Sequence, residues 1–441
     1  MNQHRHFWPH RGTTGMYRRM RRKITHILFL MFFPGVILGA LDFNEDGYGS
    51  ISDYLRNIYG IDSNAGLTAF PVLNVPMGGK SEGMGTSFTS VADDLSFIEW
   101  NPAGSSMLAK TELGFFHNNW IADTNVEGIV YTSRYKDLGF AAAGKWLYTP
   151  FTEYNMFGER VSKGYYSEAV ATLNISYNFF SGYYFNGVSV GMNLKGAFRF
   201  VPDFAHGNDS AVDGSGWSQS AASIMADLGA LTRFDLFKFY SSREKNTSVG
   251  VVFRNFGLPA KGDPLPTVIA LGLSYKPFRP ILISFDYTFP LNLMDPSLSE
   301  KQYWSLGLSA AITDFLSMRA GLLSKTGNAR ITLGTEVKLK SVTLDLNYSL
   351  DLLTQAEPLN RISLGVRFDF GDQGRQAASD KADEFYFNGL DAYAEGNYDE
   401  AQYYWEEALK IQPKFDPAKE GLKLIERSKR LEAEIRGLLD F

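Results

Sequence analysis

Large apolar side chains take every second position along much of the chain between residues 111 and 370. Residues 281–289, 304–312 and 344–350 show the pattern clearly, because small or polar residues fill the alternate positions. A period of two places the bulky side chains on one face of a sheet and the small or polar ones on the other. The pattern therefore predicts a long series of half-buried β-strands.

About fourteen such segments can be counted, each near the length that crosses a bilayer when tilted. They begin near Thr111, Val126, Leu138, Tyr165, Gly187, Ser220, Lys245, Pro266, Pro280, Glu300, Phe315, Asn328, Ser341 and Asn360. Long connections such as 148–165 and 351–360 alternate with short ones such as 135–138 and 340–341, as in outer-membrane barrels. A soluble β-sandwich shares the side-chain alternation but has no reason to alternate its loop lengths. The predicted fold class is an all-β transmembrane barrel of about 14 antiparallel strands over residues 110–370.

The opposite face of the predicted strands carries charged residues, which indicates a polar lumen. These inward candidates are Arg254, Asp286, Glu336, Lys338, Asp345, Arg367 and Asp369. The last predicted strand looks like the assembly signal that outer-membrane barrels carry at their end. Its residues are Ser363, Gly365, Phe368 and Phe370.

The N-terminus has the pattern of a secretory signal peptide over residues 1–40. A basic stretch ends at Lys23, an apolar run covers residues 24–38, and the small residues Gly39 and Ala40 follow. A membrane anchor is the alternative, although the run is short for a spanning helix. Seven of the 43 basic residues and none of the 48 acidic ones precede Ala40, so the exported chain is acidic and a poor nucleic-acid binder.

Composition excludes several chemistries. The chain has no cysteine, which excludes disulfides, thiolate zinc sites and cysteine nucleophiles. Only His117 and His206 remain after the predicted cleavage site, and no G-x-S-x-G motif is present. We therefore expect neither an enzyme nor an organic cofactor. The aromatic content of 15% suits a lipid-facing band with aromatic girdles.

One metal-binding pattern follows the predicted cleavage site. Asp42, Asn44, Asp46 and Asp53 match the oxygen-ligand spacing of a calcium loop, and Gly47 would allow its sharp turn. The apolar residue expected after the turn is displaced, so a solvated acidic leader is the alternative to a Ca²⁺ site.

The C-terminal part changes from strand to helix periodicity. Residues 371–381 are polar and are interpreted as a linker before a helical domain at residues 382–441. Eight positions fall at spacings that resemble a tetratricopeptide repeat: Gly389, Gly396, Tyr398, Ala401, Trp405, Ala408, Leu409 and Pro413. Tyr393 lies one position later than the usual aromatic. A single repeat must pack on something, so the tail is either an interaction module for a periplasmic protein or a cap on the barrel. An even strand number places both mature termini in the periplasm.

Residues 41–109 are glycine-rich and irregular. Two motifs in this segment resemble the N-terminal region of FadL-like outer-membrane proteins, which include long-chain fatty-acid transporters and the PorV-type proteins of type IX secretion. Their residues are Asp93 and Asp94 in the first motif and Asn101, Pro102, Ala103 and Gly104 in the second. The nearest likeness is to an uncharacterised FadL-like family of spirochaetes, some of whose members carry tetratricopeptide tails. The resemblance covers roughly residues 71–370.

The resemblance implies a barrel whose lumen is closed by an N-terminal hatch, with hydrophobic ligand binding inside. On the residues alone, the segment could also be a periplasmic leader outside the barrel. Phe88, Phe97, Ile98 and Trp100 are candidate apolar ligand contacts, or they pack the hatch against the wall. We expect an outer-membrane carrier for hydrophobic nutrients, in particular fatty acids. The alternative is a PorV-like protein that recruits a periplasmic or secreted partner through its tail.

Overall fold

The computed structural model describes residues 62–121, 123–154, 157–200, 220–325, 328–351 and 361–439. Its strands are β1 Glu112–Asn119, β2 Asn125–Tyr135, β3 Leu138–Tyr154, β4 Arg160–Phe179, β5 Val188–Phe200, β6 Ala221–Phe234, β7 Thr247–Gly257, β8 Thr267–Phe278, β9 Ile281–Leu291, β10 Tyr303–Ala311, β11 Leu316–Lys325, β12 Asn328–Leu339, β13 Val342–Asp351 and β14 Arg361–Asp369. Each strand pairs antiparallel with its sequence neighbours, and β1 pairs with β14 to close the barrel. The predicted fold class is confirmed. In the part of the chain described, no helix is long and apolar enough to cross a membrane.

The predicted strand starts agree with the structure to within three residues, except for β4. β4 begins at Arg160 because β3 continues to Tyr154, and the two strands pair through most of the predicted long loop at 148–165. That loop prediction was wrong. Residues 149–165 contain Thr, Tyr, Glu and Ser rather than alternating aliphatic residues, so the period-two signal is weak there.

The outward side chains form an apolar surface around the barrel. On β5, for example, Val190, Met192 and Leu194 are exposed, whereas Gly191 and Asn193 between them are buried. Large apolar residues are similarly exposed on almost all of the remaining strands. A continuous apolar band of this kind is matched to lipid hydrocarbon rather than to water.

The two ends of the barrel differ. We call the turn end the one at which Lys136 and Asp137 join β2 to β3, and the loop end the opposite one. β1 begins and β14 ends at the turn end, as an even strand number requires. Two turn-end connections, residues 180–187 and 235–246, are longer than the others.

Residues 62–111, here called the hatch, run inside the barrel from the loop end to the turn end. At the loop end, the Asp62 carboxylate accepts the N–H of Lys301, 2.7 Å away. At the turn end, the N–H of Thr111 donates to the carbonyl of Gly371 at 2.9 Å. Between these points the hatch forms a 3-10 turn at Pro71–Leu73, α1 at Gly79–Gly83, α2 at Phe97–Trp100 and a 3-10 helix at Pro102–Met107. The alternative of a leader outside the barrel is therefore wrong for residues 62–109.

Because the hatch crosses the lumen, strand number does not determine at which end of the barrel the hatch begins. Strand parity places Glu112 and Asp369 at the same end, but Asp62 lies at the opposite end of the lumen. The side on which the chain begins therefore does not follow from strand number. The signal peptide and the calcium loop of Asp42, Asn44, Asp46 and Asp53 lie outside the described residues and stay predictions.

Three helices follow the barrel: α3 Arg375–Ala394, α4 Tyr398–Ile411 and α5 Asp416–Leu439. α3 begins inside the predicted linker, because the Asp372 carboxylate accepts the N–H of Gln376 at 2.6 Å and so caps the helix. The exposed first turns of α3 have a polar composition that resembles a linker. The connection between barrel and helices is thus residues 370–374.

Trp405 of α4 forms the centre of the helical tail. It lies between two glycines: a methyl group at Gly389 would come within 2.5 Å of its ring, and one at Gly421 within 2.6 Å. Its indole N–H donates to the Tyr386 carbonyl at 3.1 Å. The other predicted repeat positions are buried (Ala401 and Ala408), half-buried (Tyr398 and Leu409) or in the connections (Gly396 and Pro413). The assignment to the tetratricopeptide class itself stays a prediction.

The tail packs on the turn end of the barrel. The ring of Phe415 lies 4.9 Å from that of Tyr183 in an edge-to-face contact. The Lys414 ammonium contacts Asp137 at 2.5 Å and also donates to the Ser181 hydroxyl at 2.7 Å. The connections between β2 and β3 and between β4 and β5 therefore form part of the surface that holds the tail.

A hatch-filled lumen as the candidate functional site

Inward-facing glycines of the wall form a seat for the hatch backbone. Three pairs are direct neighbours on adjacent strands: Gly191 with Gly229, Gly250 with Gly272, and Gly307 with Gly321. A methyl group at Gly229 would lie 2.7 Å from Pro102, one at Gly272 2.8 Å from the Ser90 nitrogen, and one at Gly307 2.8 Å from the Met84 carbonyl. Only glycine lets two backbones approach this closely. This seat was not predicted, although glycines recurring at inward positions were the signal for it.

Asn101 ties the hatch together at this seat. Its side chain is fully buried, and its amide nitrogen donates to the Thr89 carbonyl at 2.7 Å and to the Ala230 carbonyl of β6 at 3.2 Å. Its Oδ1 accepts the N–H of Ala103 at 3.1 Å and caps the 3-10 helix. One side chain thus joins two hatch segments to the wall.

The Pro-Ala-Gly residues after Asn101 are also held by the wall. The Pro102 carbonyl accepts the amide of Asn174 at 2.9 Å, and the Ala103 carbonyl accepts the Ser189 hydroxyl at 2.6 Å. Gly104 has no room for a side chain, because a Cβ there would lie 2.6 Å from Phe97. The predicted hatch motif is therefore packed tightly on the seat.

A buried ion network occupies the lumen beside β11–β14. Arg367 contacts Glu336 at 2.5 Å, Asp345 at 2.9 Å and the hatch residue Asp94 at 3.3 Å. Arg319 contacts the same two wall carboxylates. Asp93, by contrast, points to the solvent-exposed side of the hatch and pairs with Lys80. Asp94 is thus the hatch carboxylate that joins the wall network.

The inward charges predicted from the sequence fall into two groups. Arg254, Asp286, Glu336, Asp345 and Arg367 are buried inside the barrel. Lys338 is exposed at the turn-end rim, and Asp369 lies at the same rim, where it pairs with Lys110.

Apolar side chains on the lumen face of β1–β6 form clusters with the hatch at two levels. At the loop end, hatch residues such as Phe70 and Val72 pack on wall residues from five strands, namely Val126, Leu147, Val170, Ala197 and Met225. Nearer the turn end, Phe97, Ile98 and Leu108 pack on Phe116, Val130, Ala141 and Leu231. Between the two levels the same strands carry the buried ion pairs of Lys145 with Glu99 and of Lys195 with Asp227. The apolar contacts on this side of the lumen therefore form two separate clusters in an interior that is otherwise polar, as is usual for barrels.

The four candidate ligand contacts do not form one pocket. Phe97 and Ile98 belong to the turn-end apolar cluster, whereas Phe88 packs with Met84, Val91, Leu282 and half-buried Trp100. A cavity of about 30 Å³ lies beside Ile98, between Lys145 and Lys195. It has room for about one water molecule, so a larger ligand requires the hatch to move.

The last strand places its residues as an inward and an outward set. Ser363 is buried and accepts the Asn347 amide at 3.0 Å, and Gly365 also faces the lumen. Phe368 and Phe370 are exposed, and Phe368 contacts Phe115 of β1 with ring centroids 6.3 Å apart. A role in assembly stays a prediction. Among the described residues, no group of three or more side chains is arranged to hold a metal ion.

The closed barrel, its apolar outer surface and its internal hatch define a plugged transmembrane β-barrel. The chain belongs to UPF0164, an uncharacterised protein family, whose sequence model matches residues 59–373. A UPF0164 protein of Treponema pallidum (strain Nichols) is 31% identical over 376 residues, covering 81% of this chain and 82% of the relative. A second from the same organism is 26% identical over 388 residues, covering 84% and 77%.

Two solved structures are similar in fold. A deltaS2S3 mutant of the TodX monoaromatic hydrocarbon channel has a TM-score of 0.45 and 13% identity, and the match covers 66% of this chain and 98% of that one. A Pseudomonas aeruginosa FadL homologue has a TM-score of 0.39 and 11% identity, covering 65% and 96%.

Proposed function

We propose that the protein is an outer-membrane channel that carries hydrophobic small molecules, long-chain fatty acids in particular, past a movable hatch. The observation that supports this most is the pair of apolar clusters between the hatch and the lumen wall. Phe70 at the loop end and Phe97 nearer the turn end mark two apolar levels along β2–β6. An apolar molecule crossing the barrel needs such surfaces, because displacing the partners of the buried charges elsewhere in the lumen would cost free energy.

The proposal requires the hatch to give way, since the cavity beside it is small. Apart from its chain connection to β1, the hatch is held by hydrogen bonds, ion pairs and close backbone packing on glycines, without a covalent cross-link to the wall, so local release is physically feasible. No chemical step is involved, and flux would follow the gradient of the ligand. The turn end, with the helical tail, would face the periplasm.

A disulfide lock tests the gate. The hydroxyls of Ser106 on the hatch and Ser189 on β5 lie 2.6 Å apart, and the chain has no cysteine of its own. Replacing both residues with cysteine places two thiols where a disulfide can form. We expect the oxidised protein to carry no labelled oleate into liposomes and the reduced protein to restore uptake.

Ser106→Cys alone is the matched control and should respond to neither oxidant nor reductant. Equal uptake by the locked and reduced forms would contradict a hatch-gated route. Uptake no faster than in protein-free liposomes, with the barrel folded, would contradict the channel itself.

The tail supports a second candidate function. Phe387 and Leu390 of α3 and Tyr403 of α4 are exposed, whereas Trp405 of α4 is buried. A PorV-like protein that recruits a periplasmic or secreted partner would use such a surface. Deleting residues 371–441 separates the two, because a channel keeps its ligand uptake and a recruiting protein loses its bound partner.

A further inference from the structure

Arg254 on β7 is a buried cation without a carboxylate partner in the described part of the chain. Its exposure is 8%, comparable with that of Arg319, Arg361 and Arg367. Each of those three arginines contacts at least one carboxylate. Arg254 has no such contact, although an unpaired buried charge is among the costliest features of a folded protein.

The guanidinium of Arg254 is nevertheless held in a fixed position. Its Nη1 donates to the Glu99 carbonyl of the hatch at 2.9 Å, and its Cζ lies 4.7 Å from the ring centroid of Trp100. The Asp286 carboxylate attracts this guanidinium at longer range but makes no ion pair with it within 4 Å. One oxygen of Asp286 instead accepts the N–H groups of Phe88 at 2.9 Å and Thr89 at 2.8 Å.

Two buried N–H donors of this stacked pair lack an acceptor among the described residues: Nε of Arg254 and Nε1 of Trp100. Buried donors are rarely left unpaired, and each calls for a partner. A cation and a neutral donor side by side match a carboxylate, which offers two acceptor oxygens and one negative charge.

The surroundings define the rest of the ligand. Trp100 packs on Phe88, Met84 and Leu282, so an apolar surface begins at the polar pair. Sites for small ligands usually combine apolar walls with a few polar groups that fix the orientation. The neighbouring lysines are already paired, since Lys145 contacts Glu99 and Lys195 contacts Asp227.

We propose that Arg254 and Trp100 bind the carboxylate of an amphipathic ligand inside the barrel, with its apolar part against Phe88. This inference rests on the proposed function and adds the head group that the site selects and the residues that select it. Ligand entry pairs Arg254, whereas the ligand-free protein buries it unpaired.

Equilibrium dialysis of the full-length protein in detergent tests this, with radiolabelled dodecanoate and its methyl ester as probes. The wild type should bind dodecanoate more tightly than the ester. Arg254→Met should weaken dodecanoate binding about tenfold or more and leave ester binding unchanged. Trp100→Phe keeps an aromatic ring, removes the N–H and should weaken dodecanoate binding less. Lys340→Met, which removes an exposed turn-end cation, is the matched charge control.

Thermal unfolding separates this role from a structural one. Because Arg254 contacts no carboxylate within 4 Å among the described residues, Arg254→Met breaks no close ion pair. It removes only the longer-range attraction to Asp286 and should melt close to the ligand-free wild type. Dodecanoate should raise the melting temperature of the wild type and not that of the variant. Equal dodecanoate affinity in the wild type and Arg254→Met, or a melting temperature well below that of the wild type, would overturn the inference.

The binding assay is independent of transport. Carboxylate-selective binding without uptake would contradict the proposed channel and leave this site standing. Uptake that is the same in the wild type and in Arg254→Met would leave the channel standing and contradict this site.

Discussion

Gly191 on β5 lies so close to the carbonyl of Pro102 that no side chain fits between the wall and the hatch. A methyl group on this glycine would also come within 2.7 Å of the Ala103 nitrogen. Neither backbone can easily move, because Ala103 is hydrogen-bonded to Asn101 and Ser189. The fit of the hatch therefore depends on the absence of a single carbon atom in the wall.

Gly191→Ala should displace the hatch while leaving the barrel closed. We expect higher single-channel conductance in planar bilayers and faster proteolysis of residues 100–110, because the 3-10 helix loses its seat. Gly196→Ala on the same strand is the control, since its new methyl would meet Phe198 at an ordinary 3.5 Å. Equal conductance and proteolysis in the two variants would show that the hatch does not rely on this contact.

The ion network beside β11–β14 should contribute strongly to stability. Arg367→Met leaves Glu336, Asp345 and Asp94 with one guanidinium fewer in a buried site. Breaking a buried network by removing one partner costs about 3–5 kcal/mol. Urea unfolding in detergent, followed by the gel shift between folded and unfolded barrel, measures the loss.

Lys338→Met is the control for the network. Lys338 contacts Glu336 at 3.1 Å but is 56% exposed, so its loss should cost less than about 1 kcal/mol. Similar costs for Arg367→Met and Lys338→Met would mean that the network contributes little beyond surface electrostatics.

The tail should have a core that unfolds without the barrel. Trp405→Ala removes the side chain that fills the space between Gly389 and Gly421, and a buried Trp→Ala change costs about 3–5 kcal/mol. We expect loss of the helical circular-dichroism signal, with the heat-modifiable gel shift of the barrel unchanged. Tyr403→Ala, on the exposed side of the same helix, should leave both signals intact. Loss of the barrel gel shift in Trp405→Ala would indicate one cooperative unit.

Much of the barrel follows from the side-chain period, because lipid outside and polar groups inside impose alternation. The starts of β3 at Leu138 and β12 at Asn328 were therefore predicted to the residue. The glycine seat was missed because a glycine adds nothing to an apolar pattern, and its importance depends on a hatch segment far away in sequence. The inward direction of Arg254 followed from its position, but its lack of a partner depends on distances between strands.

The resemblance supplied what the period could not, namely that residues 62–109 lie in the lumen. Even so, it gave no hint that Phe88 and Phe97 belong to different clusters, because both are simply aromatic residues in an irregular segment. The extension of β3 and β4 was missed because these strand ends are polar, and polar strands beyond the lipid band need no alternation.

Docking of the tail on the barrel should depend on pH through Asp137. Burial alone would raise the pKa of this carboxyl, but the hydrogen bonds from Lys414 and Ser181 and the Lys414 charge outweigh it and lower the pKa. A lowered folded-state pKa stabilises docking above the unfolded value of about 3.9, and that stability is lost as the pH falls through the folded pKa.

Hydrogen exchange of residues 180–187 should therefore be constant between about pH 5 and 8, after correction for the intrinsic rate, and rise in relative terms below about pH 4. Asp137→Asn should show the raised exchange already at pH 7, and Lys410→Gln, which removes a pair within α4, should not. Exchange that is the same in Asp137→Asn and the wild type would show that Phe415 and Tyr183 hold the tail without help from this pair.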